Sequence, residues 1–170
     1  MPNILSLWLV FFQAGANPIP ATDVSAADIE ATLKQAIEQK IVDTPIRTVD
    51  AGGHNVGIGL VHRPKGTNLP GGVLHDVVTE VYHVLEGEGT LVTGGALIAP
   101  ERRDDTATQV VTINGPGVSG KGIEGGMRRR IAKGDVVIIP AGTPHWFPEV
   151  QDDITYIVVR VDPRRVVTLK

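Results

Sequence analysis

The spacing of apolar positions changes twice along the chain. Residues 4–12 (Ile-Leu-Ser-Leu-Trp-Leu-Val-Phe-Phe) form a nearly unbroken apolar run. Ile29, Leu33, Ile37 and Ile41 then recur every four residues, with Ala36 beside them and Glu30, Lys34, Glu38 and Lys40 elsewhere. That spacing predicts one amphipathic helix over 26–41. Ser25-Ala-Ala-Asp28 opens it as a capping-box pattern. Asp43-Thr44-Pro45 closes it, because the residue before a proline avoids the helical region. The helix is expected to cover a sheet face. From Arg47 onward, short runs of Val, Ile and Thr are divided by Gly and Pro. They predict strands at 47–50, 55–63, 73–75, 80–86, 90–93, 107–113, 127–131, 135–139, 144–149 and 154–162. Short strands at regular spacing, with no repeat of fixed period, predict an antiparallel sandwich or barrel.

Composition narrows the class. At roughly 150 residues per domain, 170 residues suggest one domain. The 20 glycines and 12 prolines favour turns and short strands over a helical bundle. A net charge of −3 argues against nucleic acid as a partner. With no cysteine there is no disulfide, no thiol nucleophile and no Cys-based metal site, so any metal must be held by nitrogen and oxygen. Only Ser6, Ser25 and Ser119 are serines, which disfavours serine catalysis. The run at 4–12 is too short for a membrane span, which needs about 20 residues. Followed by Ala14-Gly15-Ala16, it reads as a secretory signal peptide cut after Ala16, and hence a periplasmic or secreted protein. Met1-Pro2-Asn3 lacks the usual Lys or Arg, and the alternative is an apolar arm packed on the domain of a cytoplasmic protein. The expected division is a signal peptide at 1–16, an arm and helix at 17–46, and a barrel at 47–170.

Two patterns point to chemistry only weakly. Gly115-Pro-Gly117-Val-Ser-Gly120 fits G-x-G-x-x-G, and Gly115 to Gly120-Lys121 nearly fits a phosphate-binding loop. Both need a following helix, and Lys121-Gly-Ile-Glu-Gly-Gly126 cannot start one. This stretch is expected to be a mobile insertion able to act as a lid. Arg102-Arg103, Arg128-Arg129-Arg130 and Arg164-Arg165 read as solvated clusters. Alternation allows one arginine of 128–130 to point inward to an anion.

The five histidines are His54, His62, His75, His83 and His145. His75 and Glu80 stand in Val73-Leu-His75-Asp-Val-Val-Thr-Glu80-Val-Tyr82-His83-Val-Leu-Glu-Gly87. His145 ends Gly134-Asp-Val-Val-Ile-Ile-Pro140-Ala-Gly142-Thr-Pro144-His145, before Trp146-Phe147. In these stretches the chain resembles the cupin superfamily, whose motifs run G-x5-H-x-H-x4-E-x6-G and G-x5-P-x-G-x2-H-x3-N. The resemblance covers about residues 47–162. It departs at Val73, in place of the leading histidine, at Thr67, in place of the opening glycine, and at Glu149, in place of the closing asparagine. The resemblance implies an antiparallel β-barrel, or jelly roll, preceded by the one helix. It also implies a metal set reduced to His75, Glu80 and His145, and a homodimer.

Five residues separate His75 from Glu80, so in one straight strand they would face opposite ways; a turn around Asp76–Thr79 is needed to bring them together. Two imidazoles and a carboxylate suit a divalent transition metal such as Fe, Mn, Zn or Ni with open positions. His62 shares the parity of Val56, Ile58 and Leu60 and is a candidate further ligand; His83 needs a bulge to turn inward. His54 reads as a loop residue. Tyr82, Trp146 and Phe147 are candidate pocket walls. Glu80 and Tyr82 are the catalytic candidates, Glu80 as ligand or base and Tyr82 as a donor to a bound ligand. The cupin resemblance implies a small-molecule enzyme of dioxygenase, isomerase or lyase type. The alternatives are a non-catalytic ligand-binding barrel, or a metal-free isomerase pairing Glu80 with His145 or His62. The stretch Arg164–Lys170 is a candidate for pairing across a dimer interface.

Overall fold

The computed structural model describes residues 19–66 and 71–170. The signal-peptide reading at 1–16 and the departure at Thr67 lie outside the described residues. Helix α1 spans Ala26–Gln39 and opens with the reciprocal Ser25–Asp28 capping box. Lys40 closes it in the left-handed region at φ 55°. The helix leans on β1 (Asp43–Asp50) and β2 (Asn55–Arg63). Its buried line runs through Ala36, while Ile37 and Ile41 stay 52% and 40% exposed. The predicted apolar stripe is therefore only partly covered.

Two long strands organise the barrel: β4 (Thr79–Thr93) and β11 (His145–Asp162). Each replaces two shorter predicted strands. The far half of β11, Ile154–Asp162, pairs with β2 on one side and with the first half of β4 on the other. With β1 and β10 (Val136–Ile139) these make one face. The second half of β4 pairs with β9 (Met127–Ala132), and His145 at the head of β11 pairs with β3 (Val73–His75). β3 continues to β7 (Gly117–Ser119) and β6 (Glu101–Arg102), completing the second face. All these pairings are antiparallel, as expected for a jelly roll. A separate ribbon pairs β5 (Ala96–Leu97) with β8 (Ile123–Glu124). Between the faces, Val61, Tyr82, Val84, Leu91, Ile131, Phe147, Tyr156 and Val158 form the core.

Four segments differ from, or add to, what the sequence predicts. The predicted strand 107–113 is instead a turn followed by a π-helical segment, Val110–Asn114. Its backbone donors close locally, Val111 N on Ala107 O and Gly115 N on Val110 O, rather than on a neighbouring strand. The glycine-rich stretch after Gly115 is no loose insertion, because it supplies β7 and β8 to the ladders. In the triplet 128–130, Arg128 pairs with Glu149 and Arg130 with Glu88 at the surface, while Arg129, half-buried on the face it shares with Leu91 and Ile131, donates to Thr93. Finally, the C-terminal stretch packs on its own barrel, with Val167 buried and Lys170 paired backbone-to-backbone with Thr48.

Candidate metal centre

The chain turns between β3 and β4, at Asp76–Val78, and this brings His75 and Glu80 to the same interior point. The loop Pro140–Pro144 brings the third residue. Gly142 N donates to His75 O at 2.7 Å and Ala141 N to Thr79 Oγ1 at 3.2 Å, so the loop is tied to β3 and β4 just before His145. Glu80 Oε2 lies 3.3 Å from His145 Nε2 and 3.6 Å from His75 Nε2. One donor atom from each residue lies within 4.8 Å of the others, and all three residues are buried. These separations suit neighbouring ligands of one ion with bonds of about 2.1 Å.

The far nitrogens of the two rings differ. His145 Nδ1 is 3.1 Å from the Thr143 carbonyl, which can only accept. Nδ1 therefore carries the proton and the Nε2 lone pair is free, the presentation a metal ligand needs. His75 Nδ1 is 3.0 Å from Arg103 Nη2, and a guanidinium can only donate. In the neutral ring the proton is then on Nε2, facing Glu80. Burial holds His75 below its ordinary pKa against the pull of Glu80, so the ring is neutral near pH 7. The donor set thus fits a divalent transition metal, with one condition. Glu80 and His145 meet it as they stand, whereas His75 meets it once Arg103 leaves Nδ1.

Glu80 is held by more than the histidines. Arg160 sits directly opposite it in the β11–β4 register, and Nε donates to Oε1 at 2.8 Å. The same guanidinium reaches Asp43 with Nη1 and Nη2 at 3.2 and 2.6 Å. Tyr82 donates its hydroxyl to Glu80 Oε2 at 2.8 Å. Burial alone would raise the Glu80 carboxyl; His75, Arg160 and the hydrogen bonds outweigh it and hold it well below the ordinary carboxylate range. Tyr82 is pushed up, by burial first and by Glu80 second.

A cavity of about 450 Å³ opens above the three residues, walled by Val73, Trp146, Phe147 and Tyr156 and containing Arg63, Arg103 and Arg160. His62 is not part of it. It is buried on the outer side of β2, bonded to Thr155 Oγ1 at 2.9 Å and lining a cleft with Ala36 and Ile37 under α1. Gly57 and Gly59 leave the inward face of β2 without side chains, so the even-numbered apolar residues imitate the core face. The residues that do point inward there are Val61 and Arg63. His83 is exposed on the outer face and His54 lies in the turn before β2. Sequence reasoning missed Arg63, Arg103, Arg160 and Asp43. Arg160 carried a signal, an arginine at the inward parity of Tyr156 and Val158 in an apolar strand; the other three carried none.

Solved structures similar to this chain include a protein from Bacillus halodurans (16% identity, 89% of this chain, 86% of that one, TM-score 0.46). Others are a cupin protein from Bacteroides fragilis (17% identity, 70% and 74%, TM-score 0.40) and oxalate oxidase in complex with glycolate (20% identity, 63% and 41%, TM-score 0.40). No family model and no curated protein matches the chain. The fold assignment rests on this chain's own strand order and on the positions its two motifs take in it.

Proposed function

We propose that this cupin-fold barrel is a divalent-metal-dependent enzyme acting on a small molecule held in the cavity above His75, Glu80 and His145. The observation that carries the reading is the convergence of those three buried donors at the floor of a cavity of about 450 Å³, a volume typical of small-molecule sites. A divalent metal held by this set supplies Lewis-acid polarisation or dioxygen activation. The chain's own groups prepare for it. Arg160 keeps Glu80 ionised through Oε1 and so leaves Oε2 turned to the histidines. Tyr82 fixes that oxygen's direction, and Thr143 fixes the ring of His145. Trp146 and Phe147 give the cavity an aromatic wall beside the donors. The cupin resemblance limits the reaction to dioxygenase, isomerase or lyase types, and the proposed location is periplasmic or secreted.

A second reading is a barrel that binds its ligand without metal. The donation of Arg103 to His75 Nδ1 favours it, because that bond stabilises the tautomer a metal cannot use. Water-proton relaxation of the Mn2+-titrated protein separates the two. A relaxation enhancement that saturates with Mn2+ is expected for a bound ion with open positions. No enhancement overturns the enzyme reading in favour of the second.

A further inference from the structure

We infer that the cavity above the metal donors takes a small carboxylate, held by Arg63 and Arg103. The inference deepens the small-molecule reading but rests on side chains outside the metal set.

Charge arithmetic comes first. The cavity holds three guanidinium groups, Arg63, Arg103 and Arg160, against two carboxylates, Asp43 and Glu80. Arg160 spans both carboxylates with three hydrogen bonds and is fully engaged. Arg63 and Arg103 have no carboxylate within ion-pair distance among the described residues. Two cations minus the one negative charge left on the Arg160 cluster leaves an excess of one positive charge among the side chains lining the cavity. Both guanidiniums are half-buried and face the cavity with no carboxylate partner of their own among the described residues, so the local field favours an anion there.

The geometry agrees. Arg63 Nε donates to the Tyr156 hydroxyl at 3.2 Å, and its guanidinium carbon lies 5.1 Å from the centre of the Phe147 ring. These contacts hold the guanidinium in place and leave its two terminal nitrogens without partners among the described residues. They present the fork that matches a carboxylate with two parallel bonds. Arg103 is anchored by Asn114 and Gly115 at 2.8 and 2.9 Å, and its Nε is buried with no partner. Between the arginines the aromatic walls suit an apolar body. A carboxylate that draws Arg103 off His75 Nδ1 also frees His75 to become a metal ligand, so anion and metal binding favour each other.

The test is calorimetric titration of the chelator-treated, full-length protein with benzoate and with malonate, each beside its neutral amide, benzamide or malonamide. At least one carboxylate is expected to bind at least about tenfold more tightly than its amide. Arg63→Met is expected to weaken that carboxylate about tenfold or more while leaving the amide unchanged, and Arg63→Lys to fall between. Equal binding of acid and amide overturns the inference, as does unchanged carboxylate affinity in Arg63→Met. Near-ultraviolet dichroism reports whether Arg63→Met is folded; if it is not, Arg63→Lys decides, and wild-type affinity there overturns the inference. Metal stoichiometry on the same protein keeps the two ideas apart. Carboxylate binding without metal binding defeats the metal reading alone, and the converse defeats this inference alone.

Discussion

Arg160 turns a potentially unstable group of charges into a site. It bridges Glu80 on β4 and Asp43 on β1 from its own place on β11. Removing it leaves the fully buried Glu80 without its permanent counter-charge, a loss of about 3–5 kcal/mol for a broken buried pair. Arg160→Met is therefore expected to lower the urea midpoint sharply, whereas Arg130→Met, at an exposed pair, is expected to shift it little. Arg103 works against the metal. Arg103→Ala removes the one donor to His75 Nδ1 among the described residues and is expected to tighten Mn2+ about tenfold, the scale on which partners of metal-bound imidazoles act; weaker Mn2+ binding in the variant would contradict this role. The protein's two tyrosines, Tyr82 and Tyr156, are both pushed above the ordinary value of 10.0, first by burial. A raised folded pKa contributes stability that is complete below pH 10 and is lost as pH rises beyond it. Phenolate absorbance is accordingly expected to stay flat through pH 10 and to appear only with cooperative unfolding. A gradual rise centred near pH 10 would contradict the burial of both rings. Of this chemistry, His75, Glu80 and His145 were legible because their spacings are fixed by motifs. The arginines were not, since an Arg that faces inward and one that faces water look alike in sequence unless the strand's parity is known.

At the scale of elements, β4 and β11 bend together where one face of the barrel passes into the other. Gly87 lies in that corner at φ 72°, and a Cβ there would fall 1.7 Å from Asp153 O. This is the closing glycine of the first motif, and the motif's demand for it is steric. Gly134, at the opening of the second motif, has φ 89°, but a Cβ added there would meet nothing within 4 Å. Gly87→Ala is thus expected to prevent or severely weaken folding, while Gly134→Ala costs about 1–2 kcal/mol of backbone strain. Equal urea midpoints for the two variants would contradict the corner. Most strands were legible from their Val and Ile runs. The breaks predicted at Gly87–Gly89 and at 150–153 were not breaks, because a strand that bends through glycine and bulges keeps its ladder. The short strands β5 to β8 escaped notice because they hold two or three residues each and draw their pairing from distant partners.

For the whole molecule, barrel closure matters because it sets the end of β3, the start of β4 and the head of β11 around one point. Sequence order separates His145 from Glu80 by most of the barrel, and the pairing of β10 with β4 and of β11 with β3 and β4 brings them together. The antiparallel barrel was legible from strand spacing and the two motifs, whereas the charge of its interior emerged only once both faces were closed. The most direct measurement is the metal content of the protein after incubation with Fe2+, Mn2+, Ni2+ or Zn2+ and removal of the excess, compared between wild type and His75→Ala/His145→Ala. The expected result is about one ion per chain in the wild type and none in the double variant. A wild type that retains no ion, or a double variant that retains as much as the wild type, would contradict the site.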